Sequence, residues 1–577
     1  MRRGYLAALT FLFLWSTALS APTFTRPLDL RHDWLTAHTS ISLQYMYECG
    51  PFRNLGASVL FLPSAELGCD APTRIQNPGK RIYLSYPSGW LLTYLPFYSV
   101  ARFLLPENIP SYEIVRGLAL LLIRLPLLAA LLIMIQRQLM AYPGLSPPRA
   151  LSLSFLANLA FASSPAFLHY TQNIVFTDMI VLPVIYGSAV LLLHWMDRVE
   201  QSEPAEEEWL GSGKWRTAAA TGFLLWLAAA TDWYGALWSA SLLIMLWFRR
   251  GEAKLEKGQC LLVAVGPAMA ALHYGLQLSL LPAGWEQILI TATERTGQKA
   301  ASLFERWQLW KVTFSYWTFD LPLPVRWANS FLPFALVLFC AFTCLTFLRH
   351  CGRLSLRYWI LMGPFLMGML HLIILPEHSA EHDFSALKFG PMIVFAVFFL
   401  ISLTGPILEQ KLKMRKVRTL MQRLLVGILV LLLPKFAMES REKHQMTAGL
   451  IQPKQDHLSL RLLSRRLQGA LPITLARRQT DGYTPLQATG WDPPQSLALA
   501  GREIYTSETL ANFFPAFDHW TVQDMPVIVL SFRPEPGLPC RWKETGIAFE
   551  GGEALMCVLG RNGLHLLGFA PTMKPGK

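Results

Sequence analysis

Apolar runs close to the roughly 20 residues that cross a bilayer recur along the first 435 residues of the chain. They fall at about 5–21, 112–135, 151–169, 178–196, 215–230, 233–248, 259–281, 327–348, 357–375, 388–406 and 422–435. Only a helix or a closed barrel satisfies its backbone inside lipid, and runs of this length are helical. The expected fold is therefore an α-helical polytopic membrane protein with about 11 transmembrane helices. Composition excludes an ordinary soluble protein of 577 residues, since 53% of them are hydrophobic, 15% are charged and 19 are tryptophan. The first run, "GYLAALTFLFLWSTALSA" after "MRR", also has the basic start and small-residue end of a signal peptide. Reading it as a retained helix makes the later topology consistent.

Lys and Arg placement sets the orientation, because cytoplasmic loops carry the excess. With the amino terminus inside, the inner segments hold Arg2 and Arg3, Arg137 and Arg149, Arg198, Lys214 and Arg216, and Arg249 to Lys257. Arg349, Arg353, Arg357 and the run "KLKMRKVRTLMQR" continue the series. The opposite short loops "YTQNIVFT", "TDW" and "PEHSAEHDFSA" contain neither residue. Topology thus absorbs most of the net charge of +13 and removes the case for nucleic acid as a partner. This count requires "YPSGWLLTYLPFYSVARFLL", 86–105, to stay on one side as an interfacial or re-entrant segment.

The same orientation puts Cys49 and Cys69 in the first external loop, and Cys540 and Cys557 in the external tail, so two disulfides are allowed. Residues 1–435 form the transmembrane domain, within which 22–111 make a first external loop expected to carry short amphipathic helices on the membrane. The stretch 282–326 reads as another surface helix. Residues 436–577 turn soluble and read as a small extracytoplasmic α/β domain, with strands at "LPITLARR", "QSLALAGREIYT", "MPVIVLSFR", "TGIAFEGG" and "LMCVLGR" and a helix at "SETLANFFPAF". An inner (plasma) membrane is expected over the endoplasmic reticulum, since "PTMKPGK" carries no retention signal.

No Walker loop, strand-linked GxGxxG, HExxH or paired CxxC occurs. What remains are acids and histidines at helix ends on the external side. "RHDW" places His32 beside Asp33, with Asp29 four residues earlier; a cap or a salt bridge to Arg31 would also explain it. Asp178 opens the fourth span, where a carboxylate also suits the helix dipole. Asp232 sits in a tight turn that its turn chemistry alone explains. "LPEHSAEHDFSALKFG" packs Glu377, His378, Glu381, His382 and Asp383 into seven residues, with Lys388 a turn further on. A divalent metal, a solvated loop or a phosphate site would each suit that segment, although its spacing matches no specific metal pattern. Arg116 and Arg124 fall in the second span, and Arg124 sits near its middle, where a charge is costly and is either functional or paired.

Taken in order, "HDWLTAHTSISLQYMYECGP", "YPSGWLLTYLPFY", "SYEIVRGLALLL", "FLHYTQNIVFTDMIVLPVIYGSAVLLL", "AAATDWYGALW" and "EHDFSALKFGPMI" resemble the polytopic GT-C glycosyltransferases. The likeness is to the group holding protein O-mannosyltransferases and the bacterial lipid A aminoarabinose transferase, and it covers about residues 1–410. It implies an inverting transferase that moves a sugar from a polyprenyl-phosphate donor to an extracytoplasmic glycan, lipid or protein acceptor. Carried onto this chain, Asp33 is the catalytic base and Asp178 a second catalytic acid, with His32, Arg116, His382, Asp383 and Lys388 contacting substrate. No metal ligands and no certain cofactor are assigned, though a divalent metal is allowed. "YPSG" lacks the lysine that family members place beside their His-Pro-Pro-Leu-type segment, so the cation for the lipid phosphate must come from Lys80, Arg81, Arg116, Arg295 or Lys388. The alternatives are a transporter or flippase of lipid-linked saccharides, and a non-catalytic envelope assembly protein.

Overall fold

The computed structural model describes residues 2–24, 33–60, 69, 82–106, 109–140, 145–201, 207–295, 355–375, 378, 382–388, 390–391, 427, 437–438 and 441. In the tail it describes 471–475, 505–507, 527–531, 541–549 and 552–559. The expected spans 327–348, 388–406 (apart from its first residues) and 422–435 (apart from 427) lie outside them, as do His32, Lys80, Arg81 and the helix expected from "SETLANFFPAF" beyond its first residue.

Each remaining apolar run is helical. The helices are α1 (Arg2–Ser20), α2 (Asp33–Cys49), α3 (Gly89–Leu104), α4 (Ser111–Ala119), α5 (Leu125–Met140), α6 (Pro147–Ala162), α7 (Pro165–Asn173), α8 (Thr177–Gln201), α9 (Glu207–Ala229), α10 (Trp233–Arg249), α11 (Lys257–Leu280), α12 (Gly284–Arg295) and α13 (Leu356–Ile374). By length and composition, Arg3–Thr23, Ser111–Met140, Thr177–Glu200 and Lys257–Leu280 can each cross a membrane. The run at 151–169 is broken into α6 and α7, which meet at 69°. Pro165 has no N–H to continue the ladder, and the Ser164 hydroxyl accepts from Phe167 N at 3.2 Å to start a new helix.

Close backbone approach at small residues joins the bundle. A Cβ on Gly266 would stand 1.9 Å from Gly222 O, so α9 and α11 cross where both side chains are absent. Within the second span a π-helical turn, Leu120–Arg124, separates α4 from α5. It delivers Arg124 to Ser16 O (3.1 Å), Ser20 Oγ (2.7 Å), Thr171 Oγ1 (3.1 Å) and Leu168 O (3.1 Å). Arg124 thus ties α1 and α7 to this span through neutral acceptors, which answers the question its mid-span position raised.

Within 22–111, where short amphipathic helices on the membrane are expected, α2 has 12 of its 17 residues buried. Hydroxyls of "DWLTAHTSISLQY" bond to backbone carbonyls of neighbouring segments. Thr36 Oγ1 donates to Asn173 O at 2.5 Å, Thr39 Oγ1 donates to Val175 O, and Ser42 Oγ donates to Val59 O at 2.9 Å. A two-stranded ribbon, β1 (Ser58–Val59) with β2 (Ile82–Tyr83), and a Cys49–Cys69 disulfide close the loop over α2.

At the other end of α8, Asp197 binds Arg137 at 2.7 Å and Arg357 at 2.9 Å, joining α5, α8 and α13. Nineteen residues separate Asp178 from Asp197, which is roughly 28 Å along a helix, close to one hydrocarbon thickness.

In the tail, β3 (Leu471–Leu475), β4 (Tyr505–Ser507), β5 (Val527–Ser531), β6 (Lys543–Phe549) and β7 (Gly552–Leu559) form one sheet in the order β4-β3-β5-β7-β6. The β3–β4 and β3–β5 pairs are parallel, and the pairs involving β7 are antiparallel. Each expected strand overlaps one of these. Cys557 is disulfide-bonded, and its expected partner Cys540 lies outside the described residues.

Candidate active site

Helix ends and the loops between them converge on one buried polar region. Asp33 begins α2 and is fully buried, with Arg116 Nη2 3.8 Å from its Oδ1 and equally buried. The linker Ile174–Phe176, fixed by the threonine bonds from α2, brings the Phe176 ring between α2 and the start of α8. That ring packs on Trp34 (6.2 Å between centroids), His38 (5.5 Å), Tyr86 (5.8 Å) and Trp90 (5.0 Å). His38 Nε2 is 2.7 Å from Ser58 Oγ, and burial lowers its pKa to about 3, so the ring is neutral.

Beyond Phe176 lies a second group. Lys388 Nζ is 2.6 Å from Asp178 Oδ1, 3.4 Å from Asp232 Oδ1 and 3.3 Å from His371 Nε2. Asp232 caps α10 by accepting from Tyr234 N at 2.7 Å and also accepts from Thr177 Oγ1 at 3.1 Å. His378 Nε2 stands 3.7 Å from Asp178 Oδ1 and 3.2 Å from the Tyr86 hydroxyl. Burial depresses the His378 pKa to about 4 against the opposing pull of Asp178. The Arg295 guanidinium lies 4.5 Å from the centroid of the Tyr86 ring, and its Nη1 is buried with no hydrogen-bond partner among the described residues.

No protein-family model matches the sequence, and no curated protein matches it in sequence. Solved structures match it in shape. The archaeal oligosaccharyltransferase AglB from Archaeoglobus fulgidus, in complex with an inhibitory peptide and a dolichol-phosphate, aligns with a TM-score of 0.52 at 11% identity over 91% of this chain and 69% of that one. ArnT from Cupriavidus metallidurans, bound to undecaprenyl phosphate, aligns with a TM-score of 0.52 at 11% identity over 96% of this chain and 97% of that one.

The chain has the GT-C fold.

Within this GT-C fold, the residues singled out in the sequence divide into three sets. Asp33 and Arg116 pair with each other, and Asp178 and Lys388 pair with each other on the far side of Phe176. His382 stacks on Phe384, with 5.0 Å between centroids, and meets His378 edge-on at 4.4 Å. Asp383 starts the 3-10 turn Asp383–Lys388 that carries Lys388 inward. His32 lies outside the described residues.

Sequence reasoning missed His371 and the linking role of Tyr86 and Phe176. His371 was legible as a polar residue near the end of the apolar run "LMGMLHLIILP", the kind of residue that marks a site in a membrane helix. The two aromatics carry no such signal. Asp232 was read correctly as a turn residue, and its second contact, to Lys388, is across 156 residues.

Among the described residues, no group of three or more His, Cys, Asp or Glu is arranged to hold a metal ion. The donors around Lys388 sit at hydrogen-bond distances from its ammonium, beyond the about 2.0–2.2 Å of zinc–ligand bonds.

Proposed function

We propose that the chain is a membrane glycosyltransferase that moves a sugar from a polyprenyl-phosphate donor to an acceptor on the extracytoplasmic face, with inversion. The observation that carries this reading is the buried pairing of acids and cations at helix ends, with the Arg295 guanidinium turned toward the same region. The GT-C fold supports it, since the two aligned proteins are bound to dolichol-phosphate and undecaprenyl phosphate.

In this reading Asp33 is the base. The acceptor hydroxyl gives its proton to the Asp33 carboxylate as its oxygen attacks the anomeric carbon. The bond from that carbon to the phosphate oxygen breaks, and the lipid phosphate leaves with the electron pair. Arg116, 3.8 Å from Asp33 Oδ1, orients the carboxylate. The leaving phosphate needs a fixed cation. Lys388 has three acceptors around its three N–H groups and Arg116 is paired with Asp33. Arg295, with Nη1 unbonded among the described residues, is the cation best placed for it. Asp178 holds Lys388 and His378, and through them the loop that carries His382 and Asp383.

The Cys49–Cys69 disulfide supports an oxidising compartment for the first loop, and hence an extracytoplasmic site. The division into a membrane domain over 1–435 and a tail domain over 436–577, and a total of about 11 spans, complete the proposal. The test is transfer of radiolabelled sugar by the full chain in membranes from a panel of polyprenyl-phosphate sugars. Transfer from at least one donor is expected. Transfer from none, with translocation of a lipid-linked saccharide instead, would favour a flippase.

A further inference from the structure

Helix α12 ends at Arg295, and one stripe of its side chains runs along the segment that carries Tyr86. Gln287, Thr291 and Arg295 recur every four residues, so they share a face of the helix. The Gln287 carboxamide pairs with the backbone on either side of Tyr83: its Oε1 accepts from Leu84 N at 3.1 Å, and its Nε2 donates to Ile82 O at 3.1 Å. One turn on, Thr291 Oγ1 stands 2.9 Å from Ser85 Oγ. At the next turn the Arg295 guanidinium lies 4.5 Å from the centroid of the Tyr86 ring and hydrogen-bonds the Tyr83 side chain. Three successive turns of α12 therefore meet residues 82–86 in order.

The segment is itself held from other sides. The Tyr274 hydroxyl of α11 donates to Leu84 O at 2.6 Å, Trp233 Nε1 of α10 donates to Ser85 O at 3.3 Å, and the Tyr86 hydroxyl is 3.2 Å from His378 Nε2. It forms a fixed rail on which Gln287 and Thr291 seat α12. A helix that slips by one residue moves about 1.5 Å and turns about 100°, enough to carry a guanidinium off an aromatic face that holds it within about 6 Å. Glutamine suits the rail because one planar amide offers both a donor and an acceptor. Glutamate would lose the donor, and leucine would leave Leu84 N and Ile82 O without these bonds.

We propose that Gln287, supported by Thr291, is a positioning residue that sets the register of α12 on residues 82–86 and so aims Arg295 at the lipid phosphate. The inference rests on the assignment of Arg295 to that phosphate. It goes further by making affinity for a phosphorylated lipid depend on a side chain whose amide is committed to the rail.

The test is binding of undecaprenyl phosphate to the full chain in detergent, in wild type, Arg295→Gln, Gln287→Leu and the double variant. Arg295→Gln weakens binding at least about tenfold, the effect of losing a charge-assisted hydrogen bond. Gln287→Leu weakens it about tenfold in the wild-type chain but less than about twofold once Arg295 is replaced, the non-additivity of residues that act through one contact. A merely structural role for Gln287 would lower the melting midpoint in both backgrounds and leave the affinities additive. Equal weakening with and without Arg295, or none, overturns the inference alone. If Arg295→Gln binds like wild type, the phosphate assignment falls and the inference falls with it. Should Gln287→Leu fail to fold, Thr291→Val, which keeps the shape and removes the Ser85 contact, decides in the same two backgrounds. Weakening confined to the chain that retains Arg295 upholds the inference, and any other result overturns it.

Discussion

Lys388 and Asp178, 210 residues apart in the chain, meet at 2.6 Å in a pocket closed to solvent, and the same ammonium reaches Asp232 at 3.4 Å. This contact ties the start of α8 and the cap of α10 to the 3-10 turn beyond α13. Breaking a buried pair by removing one member costs about 3–5 kcal/mol, because the other charge is left without compensation. Lys388→Met, assayed without added metal, is expected to lower stability by that order. Lys388→Met/Asp178→Asn should be less destabilised than the single lysine variant, since it leaves one uncompensated carboxylate instead of two. Unfolding midpoints of the three proteins in one detergent check the ordering, and a double variant weaker than the single would contradict it.

Stability should fall on mild acidification. His378, in the loop after α13, has its pKa lowered to about 4 by burial, and His38, in α2, to about 3. Each folded value lies below the unfolded value near 6.5. Between them the unfolded chain binds a proton that the folded chain refuses, so the stabilisation present above 6.5 is lost as pH falls toward the folded values. Comparing melting midpoints at pH 7.5 and pH 5 should give a larger drop for wild type than for His378→Gln. Equal drops would contradict this placement of His378.

Gly235, three residues after Asp232, is the close-approach point of the α9–α10 turn. A Cβ there would stand 2.0 Å from Ala228 O and 2.8 Å from Val181 Cγ2. No rotamer relieves contact with a backbone carbonyl, so the turn itself must shift and carry Asp232 away from Lys388. Gly235→Ala is expected to destabilise by about 1–3 kcal/mol, whereas Gly251→Ala, which meets nothing within 4 Å, should be near neutral. Matched melting curves test the contrast.

The Cys49–Cys69 disulfide closes a 20-residue separation over α2, and the Tyr45 hydroxyl donates to Cys69 O at 2.7 Å beneath it. A closed loop of that length contributes about 3 kcal/mol in the chain-entropy account. Cys49→Ser should lower the midpoint accordingly and speed protease cleavage within 50–81. Unchanged cleavage would mean that the β1–β2 ribbon holds the loop unaided.

How much was legible follows the range of the signals. The helix α8 and the position of Asp178 at its start follow from local hydropathy and helix-end electrostatics, and the strands of the tail from short apolar runs between turn residues. The Ser-Pro pair before Phe167 was visible, yet the apolar residues on both sides read as one span, and only the bonded geometry shows the break. The Asp33–Arg116 pair spans 83 residues, and no periodicity links its members. The burial of α2 was equally hidden, because its hydroxyls look solvent-directed until the carbonyls of Asn173, Val175 and Val59 are found opposite them. Resemblance, rather than spacing, pointed to Asp33.

The central claim is that Asp33 accepts the proton of the acceptor. Its most direct test compares initial rates of sugar transfer from a polyprenyl-phosphate donor by wild type and Asp33→Asn, at matched protein levels and saturating donor. Asparagine keeps the shape but cannot take the proton. The account predicts a loss of at least about a hundredfold in kcat, with donor binding and the melting midpoint changed far less. A variant that folds, binds donor and transfers sugar at the wild-type rate would contradict it and move the base to another acid of the buried site.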